Sequence, residues 1–390
     1  MKNIAIISEK LCFGGVTKVL LTLLDSFDYT KYKITLFLPL EEGTFESYIN
    51  KKVIIKRYDR PVGDTSVKTI IKNYLKNFKI VNAFKSIYYY CLAKLNKNNK
   101  CREHYYFSRC FFPRICNEKY DYAICFNGLM VSSLETTDKV RAKGYFAWIH
   151  GIYFEKHKDI NDYYYKKLID KIVCVSISAR DSFIDTFSVN KKSVLVIYNL
   201  FNKEEIILKS NEASDMQFHY PAFVTVGRLS VEKGQDLIPK IVSNLKKRGI
   251  HCKWYLVGEG KLREKIEEEI KTFNVGEDVI LLGAKQNPYP FIKNCDIYVQ
   301  PSFSEGYCTS TMEAKILKKL IVTTDVPGMK EQFVDGENAL IVKPTVDNLE
   351  EAIYLLLNSQ ELRNKITDNL IDFEYDPSVE LNKIYSLFEG

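Results

Sequence analysis

Short apolar runs alternate with amphipathic stretches along this 390-residue chain. "NIAIIS" (3–8) is the first run; Gly14-Gly15 follows, and then Val16, Val19, Leu20, Leu23 and Leu24 recur at helical spacing. "KITLFLPL", "KVIIKRY", "DYAICF" (121–126), "GYFAWI" (144–149), "KIVCVS" (171–176) and "SVLVIY" (193–198) read as further strands. A long helical region is expected over roughly 66–97. The second half repeats the theme with "PAFVTVG", "KWYLVG", "DVILLG", "DIYVQP", "LIVTTD" and "NALIVK" as strands, and with a helix from about Gln235 to Lys247. Apolar runs of this length, separated by helices, predict parallel sheets buried on both faces. The fold class is α/β, with two doubly wound Rossmann-like domains over 1–199 and 200–372. A hinge is expected near 198–220, where "NEASDMQFHYP" loses all periodicity, and residues 373–390 are expected to form a helix returning to the first domain.

Charge divides the chain. Residues 1–200 hold 33 Lys+Arg and 19 Asp+Glu, a net of +14, and the remainder holds 23 and 30, a net of −7. Segment 51–119 alone has 17 basic and 4 acidic residues, interleaved with aromatics such as "SIYYYC" and "HYYFSRCFFPR". Such a face suits an anionic membrane surface or nucleic acid, or is merely solvated. Lys72, Lys76 and Lys79, spaced i, i+4, i+7, would share one helix face. The ten cysteines form no C-x-x-C pair and the start "MKNIAIISEKLCFGG" is no signal peptide, so a reduced, cytoplasmic setting is expected. No run of 18 apolar residues occurs, so no spanning helix is expected.

Ligands of doubly wound sheets sit outside the carboxyl ends of the strands, and four strand ends carry chemistry there. Gly14 and Gly15 allow backbone N–H groups to approach a phosphate, or simply make a turn. In "VGRLSVEKG", Arg228 and Lys233 place a planar fork and a mobile point charge beside a helix start, which suits an anion. In "LVGEGKL", the turn Gly258-Glu259-Gly260 leaves room for a flat ring or a ribose, or is a plain strand-to-helix turn. In "QPSFSEGYCTSTME", Glu305 ends a strand, Gly306, Tyr307, Cys308 and Thr309 open a helix expected from about Cys308 to Leu317, and Glu313 lies a turn in. The helix dipole favours phosphate, and the two carboxylates suit hydroxylated rings on either side of it. The competing account is a capping box, with Thr309 or Ser310 as N-cap and Glu313 near N3. His150 ends "GYFAWI" at the same edge.

"VGRLSVEKG" and "SEGYCTSTMEAKILKKLIVTTDVPGMKEQFVDGENALIV" resemble the retaining glycosyltransferases of family GT4, which have the GT-B fold. The first matches that family's G-R-x-x-x-x-K-G pattern and the second its E-x7-E motif; "GGVTKVLLTLL" and "AWIHG" resemble its N-terminal glycine loop and the strand carrying its histidine. Cys308, and Val326-Pro327-Gly328 in place of Gly-Gly, depart from the family pattern. The resemblance implies two domains facing across a cleft, the first binding acceptor and the second a nucleoside-diphosphate sugar, UDP favoured. It implies that Arg228 and Lys233 hold the diphosphate, that Glu305 and His150 contact the transferred sugar, and that Glu313 holds the ribose. The chain has no D-x-D, so a metal-independent reaction without cofactor is expected, with the two cations and the helix N-terminus stabilising the leaving group. The family's favoured mechanism is attack on the same face, the departing phosphate taking the acceptor's proton. The implied acceptor is a lipid-linked glycan of cell-surface polysaccharide, capsule or lipopolysaccharide, met by a peripheral protein on the inner face of the plasma membrane. Nucleic acid is not an expected partner. Another GT-B enzyme, such as a sugar-nucleotide epimerase, and a non-catalytic nucleotide-sugar or nucleic-acid binding protein are the alternatives.

Overall fold

The computed structural model describes residues 1–58, 115–152, 158–187, 189–213 and 221–389, together with scattered helical positions between 71 and 91. Most of the basic segment, Lys79 included, lies outside the described residues; Lys72 and Lys76 are helical and exposed.

Seven strands form the first sheet: β1 (Lys2–Ile7), β2 (Tyr32–Pro39), β3 (Ile54–Tyr58), β4 (Lys119–Cys125), β5 (Arg141–Ile149), β6 (Lys171–Cys174) and β7 (Val194–Val196). Their order is β3-β2-β1-β4-β5-β6-β7, and every pairing is parallel. The second sheet holds β8 (Ala222–Val226), β9 (Lys253–Val257), β10 (Val279–Gly283), β11 (Ile297–Gln300), β12 (Leu320–Thr324) and β13 (Leu340–Val342) in the order β10-β9-β8-β11-β12-β13, again all parallel. The order in which successive strands are added to the sheet reverses between β1 and β4 and between β8 and β11. Those two switch points open crevices at the carboxyl edges, and the loops after β1, β8 and β11 end there.

Each sheet has its own core. Ile4, Ile6, Leu20, Leu24, Ile34 and Leu36 anchor the first, and Phe223, Ile241, Leu245, Trp254, Val299 and Ile353 the second. The last helix, Ser378–Glu389, belongs to the first core although it follows the second domain in sequence. Its Phe388 is fully buried among Phe27, Tyr32, Tyr122 and Phe146, and Tyr385 stacks on Tyr32 at 5.5 Å. The stretch near 198–220, where a hinge is expected, contains a helix, Lys203–Ser210. Asn202 caps it by accepting from the Glu205 N–H, a short local signal that weak amphipathicity hid. Residues 214–220 of that stretch lie outside the described set.

The two domains are joined by a polar clamp as well as by the chain. Glu331 of the second domain accepts from the backbone N–H groups of Ile177 (2.7 Å) and Ser178 (2.8 Å), at the start of helix Ile177–Thr186 in the first. Tyr198 donates its hydroxyl to the same carboxylate at 3.2 Å. A carboxylate at a helix N-terminus gains from both the free N–H groups and the helix dipole. This contact ties the two domains together.

Candidate active site in the interdomain cleft

A cavity of about 350 Å³ lies between the two carboxyl edges. The loop after β1 enters from one side, where Gly14 and Gly15 lead into helix Gly15–Ser26. From the other side come Arg228 and Lys233 after β8, Gly258 and Glu259 after β9, and the loop and helix after β11. Two close approaches make the cleft narrow. A Cβ on Gly15 would stand 2.6 Å from Thr309 Oγ1, and one on Gly306 would stand 2.7 Å from the Cα of Gly151. Glycine at positions 15 and 306 lets the domains meet there.

The acidic pair lies inside the cleft. Helix Thr309–Ile316 starts at Cys308, whose thiol is buried, and no side chain caps it. The capping-box account therefore fails: Thr309 is already the first helical residue, and Glu313 lies beyond reach of the cap. Glu313 is 2% exposed and turns instead across the cleft, accepting from Lys18 Nζ at 2.8 Å and from the Tyr289 hydroxyl at 3.3 Å. Lys18 also lies over the Tyr289 ring, 4.5 Å from its centroid. Burial raises the Tyr289 phenol well above its ordinary range and the carboxylate adds to this, so the hydroxyl remains a donor.

Glu305 is 8% exposed and accepts at Oε1 from Lys233 Nζ (2.6 Å) and Ser302 Oγ (2.6 Å). Burial opposes the charge on Lys233, but Glu305 outweighs it and the ammonium is held above the usual lysine range. Arg228, by contrast, makes no side-chain hydrogen bond or ion pair among the described residues, so its fork is available to a ligand in the cavity it lines. Tyr307 packs on Tyr198 with ring centroids 5.4 Å apart, which fixes the loop between Glu305 and the helix. Glu259 Oε1 accepts from Arg263 at 2.5 Å while still lining the cavity.

Gly258 has a different reason from the one expected. A Cβ there would fall 1.9 Å from the Gly227 carbonyl oxygen, so the glycine lets two loops pack rather than making room for a ring. Lys72 and Lys76 do not line this cavity, whereas the expected cleft residues do, except Gly306, which stands at the contact with Gly151. Pattern reading passed over Lys18, Tyr289, Asn199 and Ser302. Lys18 stands three residues beyond Gly15 on a helix start, a spacing that could have pointed to it.

His150 stands against the Phe126 ring at 4.5 Å. The residue is partly exposed and lines the cleft, yet Nε2 is buried without a hydrogen-bond partner among the described residues, as is Oδ1 of Asn199, which lines the same cavity. Burial lowers the His150 pKa to about 4, and its bond with the Phe126 backbone opposes this only in part. The imidazole is therefore neutral near pH 7.

Residues 209–372 match the family described as Glycosyl transferases group 1. An uncharacterized glycosyltransferase of Methanocaldococcus jannaschii is 31% identical over 58% of each chain. The N-acetylgalactosamine-N,N'-diacetylbacillosaminyl-diphospho-undecaprenol 4-alpha-N-acetylgalactosaminyltransferase of Campylobacter jejuni is 29% identical over 47% of this chain and 49% of that one. The chain thus spans about half the length of the curated relatives it matches. Among solved structures, HepE of Anabaena in complex with UDP and glucose superposes with a TM-score of 0.73, covering 100% of both chains at 13% identity, which shows a shared fold.

The depressed His150 pKa sets a pH dependence. Above the unfolded value near 6.5 both states are neutral; as pH falls toward 4 only the unfolded chain takes the proton, so stability is lost across that window. Between pH 7 and pH 5 the His150 contribution falls by about 2 kcal/mol. Urea unfolding of wild type and His150→Asn at both pH values checks this: the variant should lose less stability than wild type by about that amount, and equal losses would contradict the assignment. Residues 209–372 are thus similar to the glycosyl transferases group 1 family, and over its full length the chain has the two-domain GT-B fold.

Proposed function

We propose that the protein is a retaining glycosyltransferase of the GT4 type, moving a hexose or N-acetylhexosamine from a UDP-sugar to a lipid-linked glycan in cell-surface polysaccharide synthesis. The observation that carries the reading is the cleft itself: two buried carboxylates, an unengaged arginine and a lysine converge on one helix N-terminus. Arg228, Lys233 and the N–H groups opening helix Thr309–Ile316 would stabilise the diphosphate as its charge develops. Glu313 would take the ribose hydroxyls and Glu305 a hydroxyl of the transferred sugar. His150, neutral, would donate or accept a hydrogen bond at the sugar rather than supply charge. The acceptor attacks on the face the diphosphate leaves, and the departing phosphate oxygen takes its proton, so no separate base is needed. The reaction proceeds without a metal ion, the two cations taking that electrostatic role. The UDP in the Anabaena complex and the undecaprenol-linked substrate in the name of the Campylobacter relative support donor and acceptor class.

A membrane-facing segment fits a lipid-linked acceptor. Among the described residues no helix is long and apolar enough to cross a membrane. Between 71 and 91, however, Leu75, Val81, Phe84 and Tyr88 are more than half exposed alongside exposed Lys72 and Lys76. Apolar side chains beside lysines favour an anionic lipid interface, each basic residue adding about 1 kcal/mol there. Nucleic acid is disfavoured as a partner because the cleft is lined by carboxylates.

Three measurements test these readings. In a thermal-shift panel of UDP, GDP and ADP, UDP at 100 times its dissociation constant should stabilise by about 2.7 kcal/mol. Turnover of the sugar nucleotide should survive EDTA and fall on the order of 10²-fold in Arg228→Ala and in Lys233→Ala. No response to any nucleotide, or near-normal turnover in both variants, would remove the diphosphate assignment. The third measurement is co-sedimentation with vesicles. Binding should require anionic lipid, weaken with salt, and weaken further when Lys72, Lys76 and Lys79 are changed to glutamate; equal binding to neutral vesicles would exclude an electrostatic membrane face.

A further inference from the structure

Beneath the cleft, β11 and the loop after it bury a line of polar side chains with no solvent contact. Gln300 and Ser302 are both 0% exposed. The Tyr298 hydroxyl donates to Gln300 Oε1 at 2.9 Å, Gln300 Nε2 donates to Ser302 Oγ at 2.9 Å, and Ser302 Oγ donates to Glu305 Oε1 at 2.6 Å. The direction of these bonds is fixed by the far end. A carboxylate can only accept, so the single Ser302 proton must go to Glu305. The Ser302 oxygen is then left as an acceptor, which requires the NH₂ side of the Gln300 amide to face it and the carbonyl side to face Tyr298. Reversing the amide would set two acceptors, Gln300 Oε1 and Glu305 Oε1, against one hydroxyl proton.

The consequence falls on Glu305. Its Oε1 is occupied by Ser302 from below and Lys233 from the side, whereas Oε2 has no partner among the described residues. The carboxylate is thereby held in one rotation, with a single oxygen left to receive a donor. We propose that Ser302, oriented by Gln300, is a positioning residue that aims Glu305 Oε2 at a hydroxyl of the sugar moiety, so that recognition of the sugar depends on a buried relay that never touches it. This rests on the reading above that Glu305 meets the sugar. Burial makes the relay effective, since a hydrogen-bonded polar line in a low-dielectric core is stiff and has no competing water. The same argument does not reach Glu313, whose partners are a lysine and a tyrosine hydroxyl at the cleft.

Calorimetric binding of UDP, UDP-glucose and UDP-N-acetylglucosamine to the full chain tests the proposal, because the ratio of sugar-nucleotide to UDP affinity isolates the sugar contact. Ser302→Ala should leave UDP affinity within about twofold and weaken the preferred sugar nucleotide on the order of tenfold, the size of one hydrogen bond to a charged group. Gln300→Met should act in the same direction, and the double variant should be no worse than Ser302→Ala alone, since Gln300 acts only through Ser302. Ser302→Thr, which keeps the hydroxyl, should restore sugar affinity. Equal weakening of UDP and UDP-sugar, or additive losses in the double variant, would mean a packing role and overturn the relay. Glu305→Gln separates the two levels of the argument. If it weakens sugar binding while Ser302→Ala does not, the relay alone is wrong. If it changes nothing, or if neither sugar nucleotide binds better than UDP to wild type, Glu305 does not meet the sugar and both readings fail.

Discussion

Lys18 and Glu313 belong to different domains, and their meeting at 2.8 Å governs the rest of the cleft. A carboxylate as buried as Glu313 costs several kcal/mol unless a cation and hydrogen bonds compensate it, and removing one partner of such a pair costs about 3–5 kcal/mol. Among the described residues the second domain supplies only the Tyr289 hydroxyl; the compensating charge comes from the first. The acidic site is therefore complete only when the domains are brought together. Gly15 and Gly306 permit the approach, and the Glu331 clamp on Ile177 and Ser178 holds it at a second point.

Charge within the cleft follows from that geometry. Lys18 balances Glu313 and Lys233 balances Glu305, which leaves the Arg228 guanidinium without an ion-pair partner among the described residues and the helix N-terminus uncapped by any side chain. On the proposed reading, a diphosphate entering this site would meet donors already in place, and the carboxylates on either side would meet hydroxyl groups. The division of labour resembles that of other anion sites at helix starts, with specificity for the flanking rings assigned to the acids.

Much of this was legible in the sequence. The apolar runs located every strand of both sheets to within a few residues, because strands buried on both faces leave continuous hydrophobic segments. Arg228, Lys233, Glu305 and Glu313 were legible because each follows a strand end, where the crevice must be. Other features were hidden for physical reasons. The bond from Lys18 to Glu313 spans 295 residues, and nothing local marks it. Ser302 and Gln300 read as ordinary residues at a strand end; their significance lies in the direction of hydrogen bonds, which only side-chain geometry reveals. The glycine at 258 was visible, but its cause, the Gly227 carbonyl, lies on a neighbouring strand end. The expected hinge concealed a helix because that helix is short and its polar and apolar positions are weakly segregated.

The most direct measurement is a crystal structure of the protein with UDP bound. The account predicts the diphosphate oxygens against Arg228, Lys233 and the opening turn of helix Thr309–Ile316, with the ribose hydroxyls on the Glu313 carboxylate. A nucleotide bound outside the interdomain cleft, or one seated there with its ribose directed away from Glu313, would contradict it.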